Sequence, residues 1–366
     1  MHFKKVTALV LSTAMTLGLL AGCGGSKPQE SKAPAESKAA ESQTAVAGES
    51  SLKGKRVRVV IGSTSTGGDS YMMADMVTRY LGEEMGFNGK VDPVGNAAAL
   101  DAISKADGDG TTIMMFHDMT FLSVLFGSVG EEYSLENLTV GPRIGQNPGA
   151  CFAANGAAPY DTLAGAAEWL KANPDKTLRV NIESGATSHL AFAVFYLWAK
   201  DTYGEDVSSR IKAVVGGTTD EKKQRLWDGN TDIIFGDYSS FVEYTKEGVE
   251  AQLSMKIMDP TDSIEGVDIK TMAEDGITFN GEPFVFSKDF AMYFPKDMDA
   301  GVLDEITAAM QKVCANPEFQ AELAALKYKA LTPEETALDA SQKFLFDKRE
   351  TSKEIIKAAP SLDSLT

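Results

Sequence analysis

Two polar stretches of this chain have the residue types and placing needed to hold an anion. Ser63-Thr64-Ser65-Thr66-Gly67-Gly68-Asp69-Ser70 follows the β-branched run Val57–Ile61, and Met73, Met76, Val77, Tyr80 and Leu81 recur after it at helical spacing. Ser184-Gly185-Ala186-Thr187-Ser188-His189 follows Leu178–Ile182 and leads into the apolar run Leu190–Trp198. A helix entered from a strand leaves its first N–H groups unpaired, with the positive end of its dipole facing whatever lies beyond the strand. Gly67 and Gly68 allow close backbone approach, and the hydroxyls add donors around it. Gly216 and Gly217 follow a third short run, Lys212–Val215, and complete the candidate ligand set from the loops. Each stretch also reads as an ordinary strand-to-helix turn, in which Ser184, Thr187 and Ser188 cap a helix. Asp237 closes the run Thr231–Phe235, either pairing with a cationic group of a ligand or merely ending its strand.

Catalysis has less support. His117-Asp118 follows the run Thr112–Phe116, but no motif places a serine or cysteine nucleophile beside it, so His117 reads as a pocket wall or a satisfied core residue. His189 reads equally as a core histidine or a ligand contact. The histidines are His2, His117 and His189, without metal-ligand spacing, so neither a metal nor another cofactor is expected. The expected protein is a binder and not an enzyme.

The remaining sequence must position these loops. At 366 residues with 43% hydrophobic content, the chain can bury a core large enough for two domains. A net charge of −17 without a basic stripe argues against nucleic acid as a partner. Met1–Lys5 is basic, the apolar run Val6–Leu20 is too short to span a bilayer, and small residues follow, as in a secretory signal. Leu20-Ala21-Gly22-Cys23 resembles the lipobox of bacterial lipoproteins, which implies a signal peptide over 1–22 and lipidation of Cys23. Residues 23–52 are rich in Ser, Ala, Glu, Lys and Pro, and read as a flexible tether. Cys151 and Cys314 read as two buried thiols, with one disulfide as the alternative.

Alternation of strand-like and helix-like runs from Lys55 to Phe116 predicts a parallel unit, and Leu178–Asp237 predicts a second. Ligands of open parallel sheets lie beyond the carboxyl ends of the strands, where all the loops above fall. The Gly- and Pro-punctuated segment Asn137–Cys151 reads as a hinge, and Phe290–Phe294 as the strand returning to the first domain. Thr332-Pro333 opens a last helix with a threonine cap.

Six short motifs in order resemble the receptors of tripartite tricarboxylate transporters: Thr66-Gly67-Gly68, Asp109-Gly110-Thr111-Thr112, Gly185–Leu190, Val215-Gly216-Gly217, Asp228–Asp232 and Thr271–Gly276. The resemblance covers about Val57 to Pro360. It implies an α/β, two-lobed type II periplasmic-binding-protein fold, each lobe a mostly parallel sheet flanked by helices with the ligand cleft between them. Residues 53–146 and 289–366 would form the first lobe and 147–288 the second. The implied function is capture of a small organic carboxylate and its delivery to membrane permease subunits, by a monomer anchored through Cys23 outside the cytoplasmic membrane. A sensor lipoprotein feeding a receptor kinase and an extracellular hydrolase are the alternatives, and an amino acid is the alternative ligand. Departures fall in the first-lobe pocket: Tyr71 stands where the family has aspartate, Thr64-Ser65-Thr66 replaces Phe-x-Pro, and Asn96 is followed by Ala97-Ala98-Ala99 in place of a glycine-rich run.

Overall fold

A computed structural model describes residues 49–366. Strand β1 (Arg56–Ile61) carries the first loop, and is followed by β2 (Asn88–Pro93), β3 (Thr112–Phe116) and β4 (Leu138–Asn147). The chain then builds β5 (Ala150–Asn155), β6 (Leu178–Ile182), β7 (Ile211–Val215), β8 (Ile233–Asp237), β9 (Met255–Met258) and the short hairpin β10 (Thr278–Phe279) and β11 (Glu282–Pro283). It returns in β12 (Lys288–Pro295). One five-stranded sheet has the order β2-β1-β3-β12-β4, the other β7-β6-β8-β5-β9.

The expected parallel units are present as β2-β1-β3 and β7-β6-β8. One strand of each sheet, β12 in the first and β5 in the second, runs antiparallel to both of its neighbours, so both sheets are mixed. The reason is connectivity: β5 and β12 enter from the opposite sheet instead of through a strand–helix–strand crossover, and are free of its parallel constraint. Val57, Val59, Val60 and Ile61 are all essentially inaccessible, because helices cover both faces of a central strand.

The segment 137–151 departs from its reading as a hinge. Residues Leu138–Asn147 form a ten-residue strand paired with β12, and only Pro148-Gly149 links the sheets at this point. Its punctuation has local causes. β4 is an edge strand, where Pro142 needs no ladder donor, and a Cβ at Gly141 would lie 2.4 Å from the Phe294 ring. The second crossing precedes Lys288, two residues earlier than the expected return strand.

The helix after β6 spans Thr187–Tyr203, so Thr187, Ser188 and His189 form its first turn. It is apolar all round because it touches the helices Leu163–Ala172, Glu205–Ser208 and Leu338–Ala358 as well as β6 and β10. Thr332 caps as expected, but its helix stops at Thr336, and the long helix Leu338–Ala358 follows a non-helical Ala337. The folded body also begins upstream of residue 53: Leu52 is fully buried in the main core, and the Ser51 N–H donates to Glu305 Oε2 at 2.8 Å. The signal segment, Cys23 and nearly all of the expected tether lie outside the described residues. Cys151 and Cys314 are both buried free thiols.

Candidate binding cleft

The carboxyl ends of β1, β3, β6, β7 and β8 converge on one cavity of about 290 Å³. β12 contributes its first residue, Lys288, because it runs against β3 and starts where β3 ends. Of the residues read from sequence, Ser63, Thr64, Ser65, Gly68, Asp69, Ala186, Thr187, Ser188, Gly217 and Asp237 line the cavity, as does His117. Thr66, Gly67, Ser184, Gly185, His189 and Gly216 do not border it.

Several of these off-cavity residues have visible structural work. Ser184 Oγ is 3.0 Å from Ser128 Oγ. Gly185 adopts φ +73° in the turn before the helix, where it packs against Ser123 and Ser128. The His189 ring stacks on Phe126 at 3.8 Å and its Nδ1 accepts the Gly185 N–H. Burial pushes His189 down to about 4, so it is a neutral residue that braces the loop. The Gly216 carbonyl accepts from Arg225 and the Asn181 amide.

The first loop satisfies itself internally: Ser63 Oγ accepts the Ser65 N–H and Ser65 Oγ the Gly67 N–H. Asp69 supplies a carboxylate to its own helix end, accepting the Ser70 N–H at 2.7 Å, and forms an ion pair with Lys288. Burial works against that carboxylate, but Lys288 holds it well below the usual range. Asn147 Nδ2 donates both to Asp69, at 3.1 Å, and to Asp237. Asp237 also accepts from Ser239 and from the Tyr328 hydroxyl at 3.3 Å, and burial together with Asp69 pushes it up to about 6. Both aspartates thus accept hydrogen bonds within the protein while bordering the cavity.

The second loop is different. Ser188 Oγ accepts the Glu183 N–H, which ties the loop to its helix. The helix Thr187–Tyr203 has no side-chain cap; the His189 N–H donates to the Ala186 carbonyl at 3.0 Å, while among the described residues the Thr187 and Ser188 N–H groups, on residues that border the cavity, have no acceptor. Thr187 Oγ1 is buried, borders the cavity and has no hydrogen-bond partner among the described residues.

The sequence reading missed Lys222 and Lys288. Lys222 belongs to the helix Thr219–Trp227, is only 9% exposed and borders the cavity. Burial lowers its pKa from the ordinary lysine value. Its only sequence signal is helical spacing from buried Leu226, which puts both on the inward face, while Lys223 pairs with the exposed Asp220 at 2.8 Å. Lys288 had no such signal, since its place in the cleft depends on where β12 returns. Phe116, Met119 and Phe235 add apolar wall, and His117 stands between Phe116 and Phe290 with its Nδ1 accepting the Met119 N–H. Burial, then Lys288, pushes His117 down to about 3 and keeps it neutral.

Two mixed sheets joined by two crossings, with a polar cavity at the carboxyl ends of the strands of both, have the two-lobed periplasmic-binding-protein fold. MatC from Rhodopseudomonas palustris with bound malate is similar at 17% identity, over 82% of this chain and 99% of that one, with a TM-score of 0.68. The periplasmic binding protein BugD is similar at 19% identity, over 84% and 98%, with a TM-score of 0.65. An R. palustris protein with adipate is similar at 15% identity, over 82% and 96%, with a TM-score of 0.62. No curated protein sequence matches the chain. Residues 73–360 match the tripartite tricarboxylate transporter family receptor, and the chain belongs to that family, a family of extracytoplasmic solute-binding receptors and not of enzymes.

Proposed function

We propose that this receptor captures a small organic carboxylate in the cleft between its sheets and delivers it to the membrane subunits of a tripartite tricarboxylate transporter. The observation that carries the reading is the uncapped end of the helix Thr187–Tyr203, where the Thr187 hydroxyl has no partner. A carboxylate accepts from such a group and from the open N–H groups beside it, with the helix dipole in its favour. The malate and adipate held by the two R. palustris proteins support the same ligand class.

In this reading Ser63, Thr64, Ser65, Gly68, Ala186, Thr187, Ser188 and Gly217 form the ligand-contacting wall. Asp69 and Asp237 shape the floor through Asn147 and Lys288. Lipidation of Cys23 and a tether hold a monomer at the outer face of the cytoplasmic membrane. The two lobes meet at the crossings near Pro148 and Ser287, and closing them brings the first and second loops onto one ligand.

Only a partner that favours the folded protein raises its melting temperature. Small mono- and dicarboxylates are therefore expected to raise it with concentration, and neutral sugars to leave it unchanged. Stabilisation by sugars with every carboxylate silent would overturn the reading.

A further inference from the structure

We infer that Lys222 is the charge-selecting residue of the cleft, taking one carboxylate of a dianionic ligand whose other carboxylate sits at the amino end of the helix Thr187–Tyr203. The inference rests on the carboxylate reading above and narrows it to dicarboxylates.

Lys222 differs from the other buried cations among the described residues. Lys288 is paired with Asp69 and Arg143 with Asp289, and the half-buried Lys348 is paired with Asp118 and Asp289. Lys222 has neither a hydrogen-bond nor an ion-pair partner among the described residues, although it is as buried as Lys288 and borders the same cavity. An ammonium that borders the cavity without a counter-ion is open to a ligand anion, which gains a charge-assisted hydrogen bond on reaching it. The acidic groups around it do not fill the role. Asp69 and Asp237 are held in the Asn147 network, and Glu221 turns back to accept the Thr218 N–H at 2.7 Å in a capping box. Glu183 borders the same cavity and favours the charged form of Lys222, but it is exposed and makes no ion pair among the described residues.

The second anion-seeking point, Thr187, belongs to a different helix, after a different strand. A cavity of about 290 Å³ has the volume of roughly ten waters, far more than one carboxylate fills. Two separate anchors on two helices, across a space of that size, match a short chain with a carboxylate at each end.

The test is calorimetric titration of the wild-type protein and of Lys222→Met with two chain-matched series: succinate, glutarate and adipate against butyrate, pentanoate and hexanoate. The wild type is expected to bind at least one dicarboxylate about tenfold or more tightly than the monocarboxylate of equal length, as loss of a charge-assisted hydrogen bond would give. Lys222→Met is expected to lose that preference while its ligand-free melting temperature holds or rises, because no hydrogen bond or ion pair of the side chain is lost. A lysine serving only the fold would show the reverse, a lower melting temperature with the preference intact. Lys222→Gln serves if the methionine variant does not fold. Carboxylate binding without preference in the wild type, or an unchanged preference in the variant, overturns the role of Lys222 and leaves the carboxylate reading standing. No binding in either series overturns both.

Discussion

Asp69 and Asp237 come from different sheets, yet both accept from the single amide nitrogen of Asn147, the last residue of β4 before the chain crosses between them. Asp69 heads the helix that follows the first loop, Asp237 ends β8, and Lys288 begins the returning strand at the second crossing. Both crossings are therefore fastened to both halves of the cleft wall through one buried polar network.

That network predicts a specific pattern of stability. Lys288→Met leaves Asp69 buried without its cation and is expected to cost about 3–5 kcal/mol. The double variant Asp69→Asn with Lys288→Met is expected to recover most of that loss, since no uncompensated charge remains. Urea denaturation of the wild type, the single variants and the double variant gives the coupling directly, and additive losses would show that the pair does not act as one unit.

A second buried group predicts a pH dependence. Asp259 accepts the Leu163 N–H at 2.6 Å, while its Oδ1 and Asp275 Oδ2 are buried without a donor. Burial, reinforced by Asp275, pushes Asp259 from 3.8 up to about 8. The folded state thus binds a proton that the unfolded chain releases above its ordinary carboxylate pKa. The contribution to stability is largest at low pH and falls as pH rises from about 4 to about 8. Asp259→Asn keeps the acceptor for Leu163 and supplies a permanent donor to Asp275. Its unfolding free energy minus that of the wild type is expected to grow across this window, and a constant difference would contradict the shared proton.

The cleft itself predicts a clamp. A Cβ at Gly68 would meet only Ser65 Oγ at 4.0 Å, and its φ of −103° suits any residue. Gly68→Val is therefore expected to fold with a nearly unchanged melting temperature, while its side chain enters the cavity and blocks both binding and closure. Thr187→Ala is expected to weaken carboxylate binding by roughly 0.5–1.5 kcal/mol, the worth of one hydrogen bond. Small-angle scattering is expected to give a smaller radius of gyration for the wild type with ligand, and no change for Gly68→Val. Normal binding by Gly68→Val would rule out the clamp.

The start of the folded body predicts where truncation is tolerated. Leu52 is fully buried and Ser51 is held by both its N–H and its hydroxyl to Glu305. A chain beginning at Gly48 is expected to melt with the full-length protein. One beginning at Lys53 is expected to lose stability on the scale of a buried leucine truncation, about 2–5 kcal/mol. Equal melting temperatures for the two would show that Leu52 contributes nothing.

By itself the sequence determined the strands, most helices and the rim on which the loops meet, because β-branched runs, helical spacing and glycine turns are local properties. It resembled its family through such local motifs, most of them in loops beside a strand. It could not show that Gly141 and Pro142 lie within an edge strand, since only the approach of Phe294 and the absence of a further strand explain them. Nor could it tell Thr187, whose hydroxyl has no partner, from Ser188, whose hydroxyl is bonded to the loop. The charges were least legible. Lys288, Asp69 and Asp237 are distant in sequence and meet only where the two crossings bring the sheets together. Lys222 stands beside Lys223 in the chain, yet the first borders the cleft and the second pairs with Asp220. Burial and counter-ions arise from contacts between remote segments, so which charges are paired and which one is left for a ligand is a property of the folded molecule.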